Sequence, residues 1–511
     1  MPLLNSNKQM SPAIFARLRW LLALVFALHA LLGAFLGLSV DEAHYALYAA
    51  HPALSYFDHP PLVGWVQWPL VALGATTVVL RLLPGLFWLG TLLLVYRVTL
   101  RLAVDAGAAV PSATPERAGF WAVTVLLLAP LLHILGIGLL PDTLLMLWSA
   151  ALMLQTLRLM QPAHAARLAQ WLLLGLLLGL AGLSKYTAIF SAAAVALCLL
   201  SAHGLALLRK PGLWWATFLA LALVSPVAIW NAHNHWISFV YQLKHGAGSS
   251  WQWLHLLRFL LVQLLAFGPL LLWGGAGLRL VAAPQRLLLA FFAIPFALLA
   301  YLSGGGSSLP HWTAPAWVAL APFAGIGLVR AWTCGKHRLV AVLVLLQALA
   351  CVALPAFMLS AGMPILQGRS ASAEHSDAPN PFADLHGWDA AGARAKLLAQ
   401  QSGLDAVAVQ NWTLASRIAW YARPLKVHVL EDRFDQFDLW AGKLPVGASA
   451  LLLDWSQLPY ETPLGAHGFA QCRLLDTQEV HRLGYAVSRF DFYACSGWSG
   501  DPQPRLRSPK P

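Results

Sequence analysis

The sequence LVAVLVLLQALACVALPAFML occupies residues 339–359 and contains no charged side chain. A helix that crosses a bilayer needs about 20 mainly apolar residues. About eleven stretches of this kind occur before residue 360, centred near residues 28, 90, 128, 151, 176, 195, 221, 265, 295, 321 and 349. The chain is 59% hydrophobic and 11% charged, whereas soluble proteins carry about 25% charged residues. The sequence predicts an all-α polytopic membrane protein with about 11 transmembrane helices.

The basic residues of the chain lie almost entirely in its apolar part. The net charge is +12, yet residues 361–511 contain fourteen lysines and arginines against fifteen acids, and residues 1–360 contain nineteen against six. This distribution favours a membrane protein with basic cytoplasmic edges over a nucleic-acid-binding protein. With the N-terminus in the cytoplasm, fifteen of the nineteen bases fall on the inner side of the membrane. The four exceptions on the outer side are Arg81, Lys185, Lys244 and Arg258. We therefore expect a multi-pass membrane protein whose N-terminus is cytoplasmic and whose C-terminal part is extracytoplasmic.

The C-terminal part differs in composition from the rest. Residues 361–498 have the balanced charge of a soluble domain, and residues 499–511 are rich in proline and arginine, which predicts disorder. Four runs predict strands, at Asp405–Gln410, Leu425–Leu430, Ala448–Asp454 and Tyr485–Tyr493, and Leu414–Tyr421 predicts a helix. These indicate a small α/β domain that follows a transmembrane catalytic domain of residues 1–360. Its two cysteines, Cys472 and Cys495, are either paired in an oxidising periplasm or free.

The first outer loop contains the densest group of polar residues in the apolar part. It reads SVDEAHYALY at residues 39–48 and YFDHPPLVGW at residues 56–65. Ser39 and Glu42 have the spacing of a capping box, which predicts a helix with Asp41 in its first turn. Asp41, His44, Tyr45 and Tyr48 would then share one face. Two adjacent acids beyond a membrane span indicate either a functional site or ordinary helix-start residues.

Other titratable residues fall on the same expected side. Asp142 opens the fourth span after a proline, and Lys185 lies between two uncharged runs. Each has a structural explanation. Asp142 could simply be an acid at a helix start, and Lys185 could extend its amine to the membrane surface. Because Lys185 opposes the inner bias of the bases, an anionic partner such as a lipid phosphate is the functional alternative. The remaining candidates are Asp58, His59, Lys244, His245 and His311.

These segments resemble those of the GT-C glycosyltransferases. The resemblance is to the bacterial glycosyltransferase-39/PMT-like group, which includes the lipid A aminoarabinose transferases and the rhizobial lipopolysaccharide-core galacturonosyltransferases. The matching segments are DEAHY at residues 41–45, YFDHPP at 56–61, PD at 141–142, GLSKY at 182–186, HWTAP at 311–315, NWTLAS at 411–416 and QFDLW at 436–440. Their order covers nearly the whole chain.

The resemblance implies a hexosyl or pentosyl transferase that works on the periplasmic face. Its donor would be a sugar linked to a polyprenyl phosphate, and its acceptor a lipid or glycan such as lipid A or lipopolysaccharide. The family's catalytic acid corresponds to Asp41, with Glu42 and Asp142 as further carboxylates of the catalytic site. Lys185, Lys244, His59 and His311 would bind the donor phosphate. His44, Tyr45, Asp58 and His245 would orient the acceptor.

The sequence departs from the aminoarabinose transferases at His59, where they carry lysine. A histidine titrates near a pH of about 6.5, so donor binding would depend more on pH. No cofactor is specified, although the carboxylates and histidines permit a divalent metal ion. Membrane lipids are expected partners and nucleic acid is not, while the oligomeric state is open.

Two other functions fit a chain with many spans. A transporter or lipid flippase would also combine apolar spans with a few charges. A membrane anchor for the periplasmic domain would need far fewer spans. The charges gather at one face and no internal repeat is evident, so the sequence favours the transferase.

Overall fold

A computed structural model of the chain describes residues 12–109, 115–247, 250–306, 308–363, 380–458 and 468–501. Within these ranges, the side chains of residues 12, 15, 105–109 and 244–247 are not described. The chain forms two compact units. Unit 1 comprises Met1–Leu31, His59–Val63 and Arg81–Val352, and unit 2 comprises Leu32–Asp58, Gly64–Leu80 and Ala353–Pro511. Most of the first outer loop, up to Asp58, therefore folds with the C-terminal segment, whereas His59–Val63 folds with the helices of unit 1. The sequence analysis had assigned the whole loop and the C-terminal segment to different domains.

Helices dominate the chain up to Ser360. Their bounds are α1 Pro12–Phe35, α2 Val40–Ala50, α3 Leu62–Trp65, α4 Trp68–Ala72, α5 Thr77–Leu80, α6 Leu82–Ala109, α7 Pro115–Leu127, α8 Pro130–Ile137, α9 Pro141–Leu159, α10 Pro162–Ala165, α11 Leu168–Ser184, α12 Ala188–His203, α13 Pro211–His233, α14 Ile237–Ala247, α15 Trp253–Phe267, α16 Gly274–Leu278, α17 Ala290–Ser303, α18 Ala314–Thr333 and α19 His337–Ser360. Short 3-10 helices occur at Gly204–Arg209, Pro269–Trp273, Ala283–Leu289 and Pro310–Thr313.

The described helices confirm a polytopic membrane fold with fewer straight spans than the sequence suggests. Seven of them are long and apolar enough to cross a membrane, and the number reaches nine if two bent pairs each count as one span. The pairs are α7 with α8, bent by 79°, and α15 with Pro269–Leu278, bent by 96°. Each second segment begins with a proline, which cannot continue the preceding hydrogen-bond ladder. The stretches predicted near residues 151 and 176 form α9 and the 17-residue α11, which are outside this set.

Helix α18 forms the centre of unit 1. It is almost entirely buried, whereas α19 is mostly exposed although it is more apolar. The exposed apolar surface of α19 is what a lipid-facing helix requires. Two glycines permit the close packing of α18: a Cβ at Gly325 would meet the Ala118 carbonyl oxygen of α7, and one at Gly277 of α16 would meet the Phe323 carbonyl oxygen of α18. Small residues allow helices to approach closely in membranes.

Unit 2 contains a five-stranded mixed sheet. Its elements after α19 are α20 Trp388–Ser402, β1 Ala406–Val409, α21 Trp412–Tyr421, β2 Lys426–Val429, α22 Gln436–Trp440, β3 Ala450–Trp455, β4 Phe469–Arg482 and β5 Tyr485–Trp498, with a 3-10 turn at Ala383–Leu385. The strand order is β2-β1-β3-β5-β4. Strand β1 is parallel to β2 and β3, and β5 is antiparallel to β3 and β4. The predicted α/β domain is confirmed, with the four predicted strands and one more, β4.

Helix α2 completes the core of unit 2. Ala43, Ala46 and Leu47 of α2 share one apolar cluster with Ile418 of α21 and Val407 of β1. The segment before α2 is also fixed, since the Leu38 amide donates to the Tyr421 hydroxyl over 2.9 Å. On the far side of the sheet, Cys472 and Cys495 form a disulfide between β4 and β5, which settles the pairing that the sequence left open. The acids of the first outer loop therefore sit on a well-packed scaffold.

Candidate functional site

Asp142 is buried at the start of a helix in unit 1. It is the second residue of α9 and follows Pro141, which suits the first helical position. The positive end of the helix dipole favours a carboxylate there. Only 2% of the residue is exposed. Such a buried carboxylate requires a cationic partner.

Lys185 supplies that partner from the end of another helix. Helix α11 ends at Ser184, and Lys185 follows in an extended conformation. Its Nζ atom lies 2.7 Å from both Oδ1 and Oδ2 of Asp142. Lys185 is itself only 5% exposed. The amine therefore does not extend to the membrane surface, as the structural explanation of this lysine supposed; it pairs with a carboxylate 43 residues away.

Three further side chains surround this ion pair. His311, in the turn before α18, places Nε2 3.8 Å from Asp142 Oδ2. His59 also lies near enough to interact electrostatically with Asp142. The ring of Trp312 lies 5.6 Å from Lys185 Nζ. We refer to Asp142, Lys185, His59 and His311 as the unit 1 charge cluster.

The unit 1 charge cluster contains three basic groups and one carboxylate. The carboxylate of Asp142 balances the charge of Lys185. Any net positive charge that remains to bind an anion therefore comes from His59 and His311. His311 is more exposed than the ion pair, with 19% of its side chain accessible. The cluster can therefore offer imidazole hydrogen bonds to an anion while the ion pair holds the helix ends together. Trp312 belongs to the HWTAP segment at residues 311–315, but the sequence did not predict that its ring faces the Lys185 ammonium.

Two predicted phosphate-binding or orienting residues fall elsewhere. Lys244 and His245 belong to α14, Ile237–Ala247, and their side chains lie outside the described part of the structure. Their predicted roles remain predictions.

The acidic pair of the first outer loop divides into two roles in unit 2. The Ser39 amide donates to Glu42 Oε2 over 3.0 Å, and the Glu42 amide donates to Ser39 Oγ over 3.4 Å. This confirms the predicted capping box. Glu42 thereby stabilises the start of α2, a helix-start role of the kind that the sequence left open. Asp41, its neighbour in the first turn, is half-buried.

Arg417 gives Asp41 a cationic neighbour. The guanidinium forms a short ion pair with Asp384 and lies 3.8 Å from the centre of the Trp388 ring. Burial lowers the pKa of Arg417 to about 9, and the Asp41 carboxylate opposes that decrease. Arg417 therefore remains charged at neutral pH, and its charge favours the ionised form of Asp41. Nothing in the sequence pointed to Arg417, which follows Asp41 by about three quarters of the length of the chain.

His44 links the first outer loop to the C-terminal segment. Its Nδ1 lies 3.0 Å from Ser416 Oγ, and its Nε2 lies 3.6 Å from Asp58 Oδ1. The Tyr48 hydroxyl donates a short hydrogen bond to Asp58. Burial and the charge of Asp58 raise the pKa of Tyr48, so the phenol keeps its proton. The predicted residues His44 and Asp58 are thus brought together, with Tyr48 and Ser416 added.

Aromatic rings enclose His44. Ring centres within about 6 Å belong to Tyr45 at 5.8 Å, Tyr48 at 5.2 Å, Trp412 at 5.4 Å and Trp440 at 5.8 Å. Trp412 and Trp440 come from the segments at residues 411–416 and 436–440 that matched the family pattern. Packing of these segments around the first outer loop could not be derived from the sequence. The structure shows that they do.

Two acids follow β2 in the same unit, the buried Asp435 and the half-buried Glu431. Asp435 caps α22 by accepting a hydrogen bond from the Phe437 amide over 2.7 Å. Burial raises the pKa of Asp435 to about 6. Burial and the charge of Asp435 raise the pKa of Glu431 to about 7. Both carboxyl groups therefore titrate close to neutral pH.

The described residues contain no group of three or more His, Cys, Asp or Glu side chains placed to hold a metal ion. The paired Asp142 and the helix-capping Glu42 already have partners of their own.

Comparisons with known proteins support the polytopic membrane fold described above. The family model of dolichyl-phosphate-mannose-protein mannosyltransferases matches residues 58–230. Two crystal structures of ArnT from Cupriavidus metallidurans align with 98% of this chain and 100% of theirs. The chain has the GT-C fold of ArnT. The TM-scores are 0.62 for the apo state and 0.63 for the state bound to undecaprenyl phosphate, at 17% sequence identity in both cases.

These matches confirm the resemblance inferred from the sequence motifs. The family match covers about a third of the chain, and the structural matches cover nearly all of it. No curated protein sequence matches the chain.

We predict that substitutions of Lys185 and Asp142 change the free energy of unfolding in a strongly non-additive way. Lys185→Ala leaves a buried carboxylate without its partner, which costs about 3 to 5 kcal/mol of stability. The double variant Lys185→Ala/Asp142→Ala removes both charges and should be less destabilised than the sum of the two single variants. Thermal unfolding of the purified proteins measures this difference. Additive losses would show that the pair is not coupled.

From Glu431 and Asp435 we predict a pH dependence of stability. Their raised pKa values mean that the folded state holds protons that the unfolded state has released above about pH 4. Stability should therefore fall as the pH rises from about 4 towards 7. Glu431→Gln should reduce this fall, which melting temperatures measured between pH 5 and pH 7.5 would reveal. An identical pH profile for the variant and the wild type would rule out Glu431 as its source.

Proposed function

We propose that this protein is a membrane glycosyltransferase that moves a sugar from a polyprenyl-phosphate-linked donor to a lipid or glycan acceptor. The whole-chain match to the ArnT fold supports this proposal most strongly. The match to the mannosyltransferase family model adds support over residues 58–230.

In this proposal Asp41 is the general base. It accepts the proton of the acceptor hydroxyl while that oxygen attacks the anomeric carbon of the donor sugar. The bond between the anomeric carbon and the phosphate oxygen breaks, and the lipid phosphate leaves with the electron pair. Asp41 suits this role because Glu42 is engaged in the capping box, whereas the half-buried Asp41 lies beside it in the same first turn, near the charged Arg417.

The donor phosphate is assigned to the unit 1 charge cluster. A leaving phosphate needs hydrogen-bond donors and positive charge, and His59 and His311 supply these beside Lys185. Asp142 keeps Lys185 in a fixed position, because both of its oxygens accept from the amine. Lys244 is retained as a further phosphate ligand on the sequence pattern alone.

The acceptor is assigned to the residues around His44. Tyr45 and Asp58 line this group, and His245 is retained from the sequence pattern. Aromatic side chains with nearby hydroxyl and carboxylate groups suit a sugar or glycolipid, because rings cover its apolar faces and the polar groups bind its hydroxyls. An envelope glycolipid such as lipid A or lipopolysaccharide is the class of acceptor that we propose.

The reaction is proposed for the periplasmic face of the bacterial inner membrane. The inner excess of basic residues orients the N-terminus towards the cytoplasm. Nucleotide sugars and ATP are cytosolic, so a periplasmic transferase needs a donor that already crossed the membrane on a lipid.

Replacing Asp41 tests the proposal in cells. Asp41→Asn removes the proton acceptor and keeps the side-chain size, so the sugar-modified envelope lipid should disappear while the protein still folds. Mass spectrometry of lipopolysaccharide and membrane glycolipids from deletion cells, complemented with each variant, measures the loss.

Asp389→Asn provides a matched control. Asp389 is also the second residue of a helix in unit 2, but it is exposed and lies outside the His44 group. This variant should restore the modified lipid fully. A normal product from well-expressed Asp41→Asn would remove Asp41 from the mechanism.

A further inference from the structure

The hairpin formed by β4 and β5 ends in an exposed apolar turn. Each strand is 14 residues long, and Leu483 and Gly484 connect them with positive φ angles. Leu483 is 71% exposed and Tyr485 is 39% exposed. Single exposed apolar residues are common on protein surfaces, so exposure alone does not indicate a binding surface. The location of this turn relative to the membrane-spanning helices must be considered as well.

The segment at residues 380–388 is attached to the end of α19. The Asn380 side chain donates to the Ala361 carbonyl over 2.9 Å, and His386 Nε2 lies 2.8 Å from the Met358 carbonyl. The rings of Phe357 and Phe382 stack with their centres 5.7 Å apart. These contacts fix the segment beside the last turn of a helix long and apolar enough to span a membrane.

The same segment also contacts the end of α1. Helix α1 finishes at Phe35, and the Gly37 amide donates to the Leu385 carbonyl over 2.9 Å. Both helices reach this segment with their C-terminal ends. Two apolar spans that end at the same few residues mark one boundary of the bilayer.

The hairpin turn is bonded to this boundary segment. Arg482 Nε donates to His386 Nδ1 over 3.0 Å. Burial and the neighbouring Arg482 lower the pKa of His386 to about 4, so its neutral ring accepts from Arg482 and donates to Met358. In addition, Val480 packs directly against Gly387, where a Cβ would collide with it. The exposed turn therefore lies within a few residues of the membrane boundary.

We propose that the hairpin tip at residues 481–485 inserts into the interfacial layer of the bilayer and binds phospholipid. Leu483 enters the acyl boundary, and Tyr485 lies at head-group level, where aromatic residues with a polar end are favoured. Arg482 faces the phosphates of the lipid head groups. The tip thus attaches the sheet of unit 2 to the lipid surface, in addition to the covalent connection through α19.

Fluorescence of a polarity-sensitive probe at the tip tests this proposal. Leu483→Cys and Tyr485→Cys are each labelled in a Cys334→Ser/Cys351→Ser background, and the full-length protein is reconstituted in nanodiscs of phosphatidylethanolamine and phosphatidylglycerol. We expect a blue-shifted emission and roughly two-fold or stronger quenching by lipids that carry a nitroxide below the head group, since interfacial insertion reaches about 5–10 Å.

Val446→Cys is the matched control, because Val446 is 76% exposed in the same unit. The neighbouring Gly447 amide donates to Trp498, at the opposite end of β5 from Tyr485. Fourteen residues of strand separate the two ends by on the order of 45 Å. A Val446 probe should show no blue shift and little quenching. If both tip probes behaved like the Val446 probe, the proposal would be overturned. The second tip position keeps the test valid if one variant fails to fold.

Discussion

The ion pair between Lys185 and Asp142 is the interaction on which the site in unit 1 depends. A charge next to hydrocarbon is costly unless it is paired, so these two side chains hold the ends of α9 and α11 in one arrangement. His311 and His59 take their electrostatic surroundings from the same carboxylate. Few charged residues lie among the apolar spans. Because each of them must be paired, each needs a defined partner.

Unit 2 follows a different physical rule. Its polar groups lie on a packed α/β core, and Arg417 is buried by stacking on Trp388 and by its ion pair with Asp384. This arrangement presents Asp41 on a helix whose start is fixed by Ser39 and Glu42. A rigid first turn fixes where the Asp41 carboxylate lies, which the proposed proton transfer requires.

Local patterns predicted the local structure well. The capping box at Ser39, the four strands and the helix at Leu414–Tyr421 all depend on neighbouring residues. Strand β4 was missed because two register shifts interrupt its alternation of apolar and polar residues. The bend between α15 and Pro269–Leu278 could have been read from the Gly268-Pro269 pair. Contacts between distant residues, such as Lys185 with Asp142 or His44 with Ser416, depend on tertiary packing and could not be derived from one sequence.

The proposed function requires that the protein performs the transfer itself, without a sealed compartment. Purified protein in detergent should be given a radiolabelled polyprenyl-phosphate sugar together with extracted envelope lipids. We expect label in a lipid or glycan product, with release of free polyprenyl phosphate. Movement of intact donor across vesicles, with no transfer in detergent, would indicate a transporter and rule out the transferase.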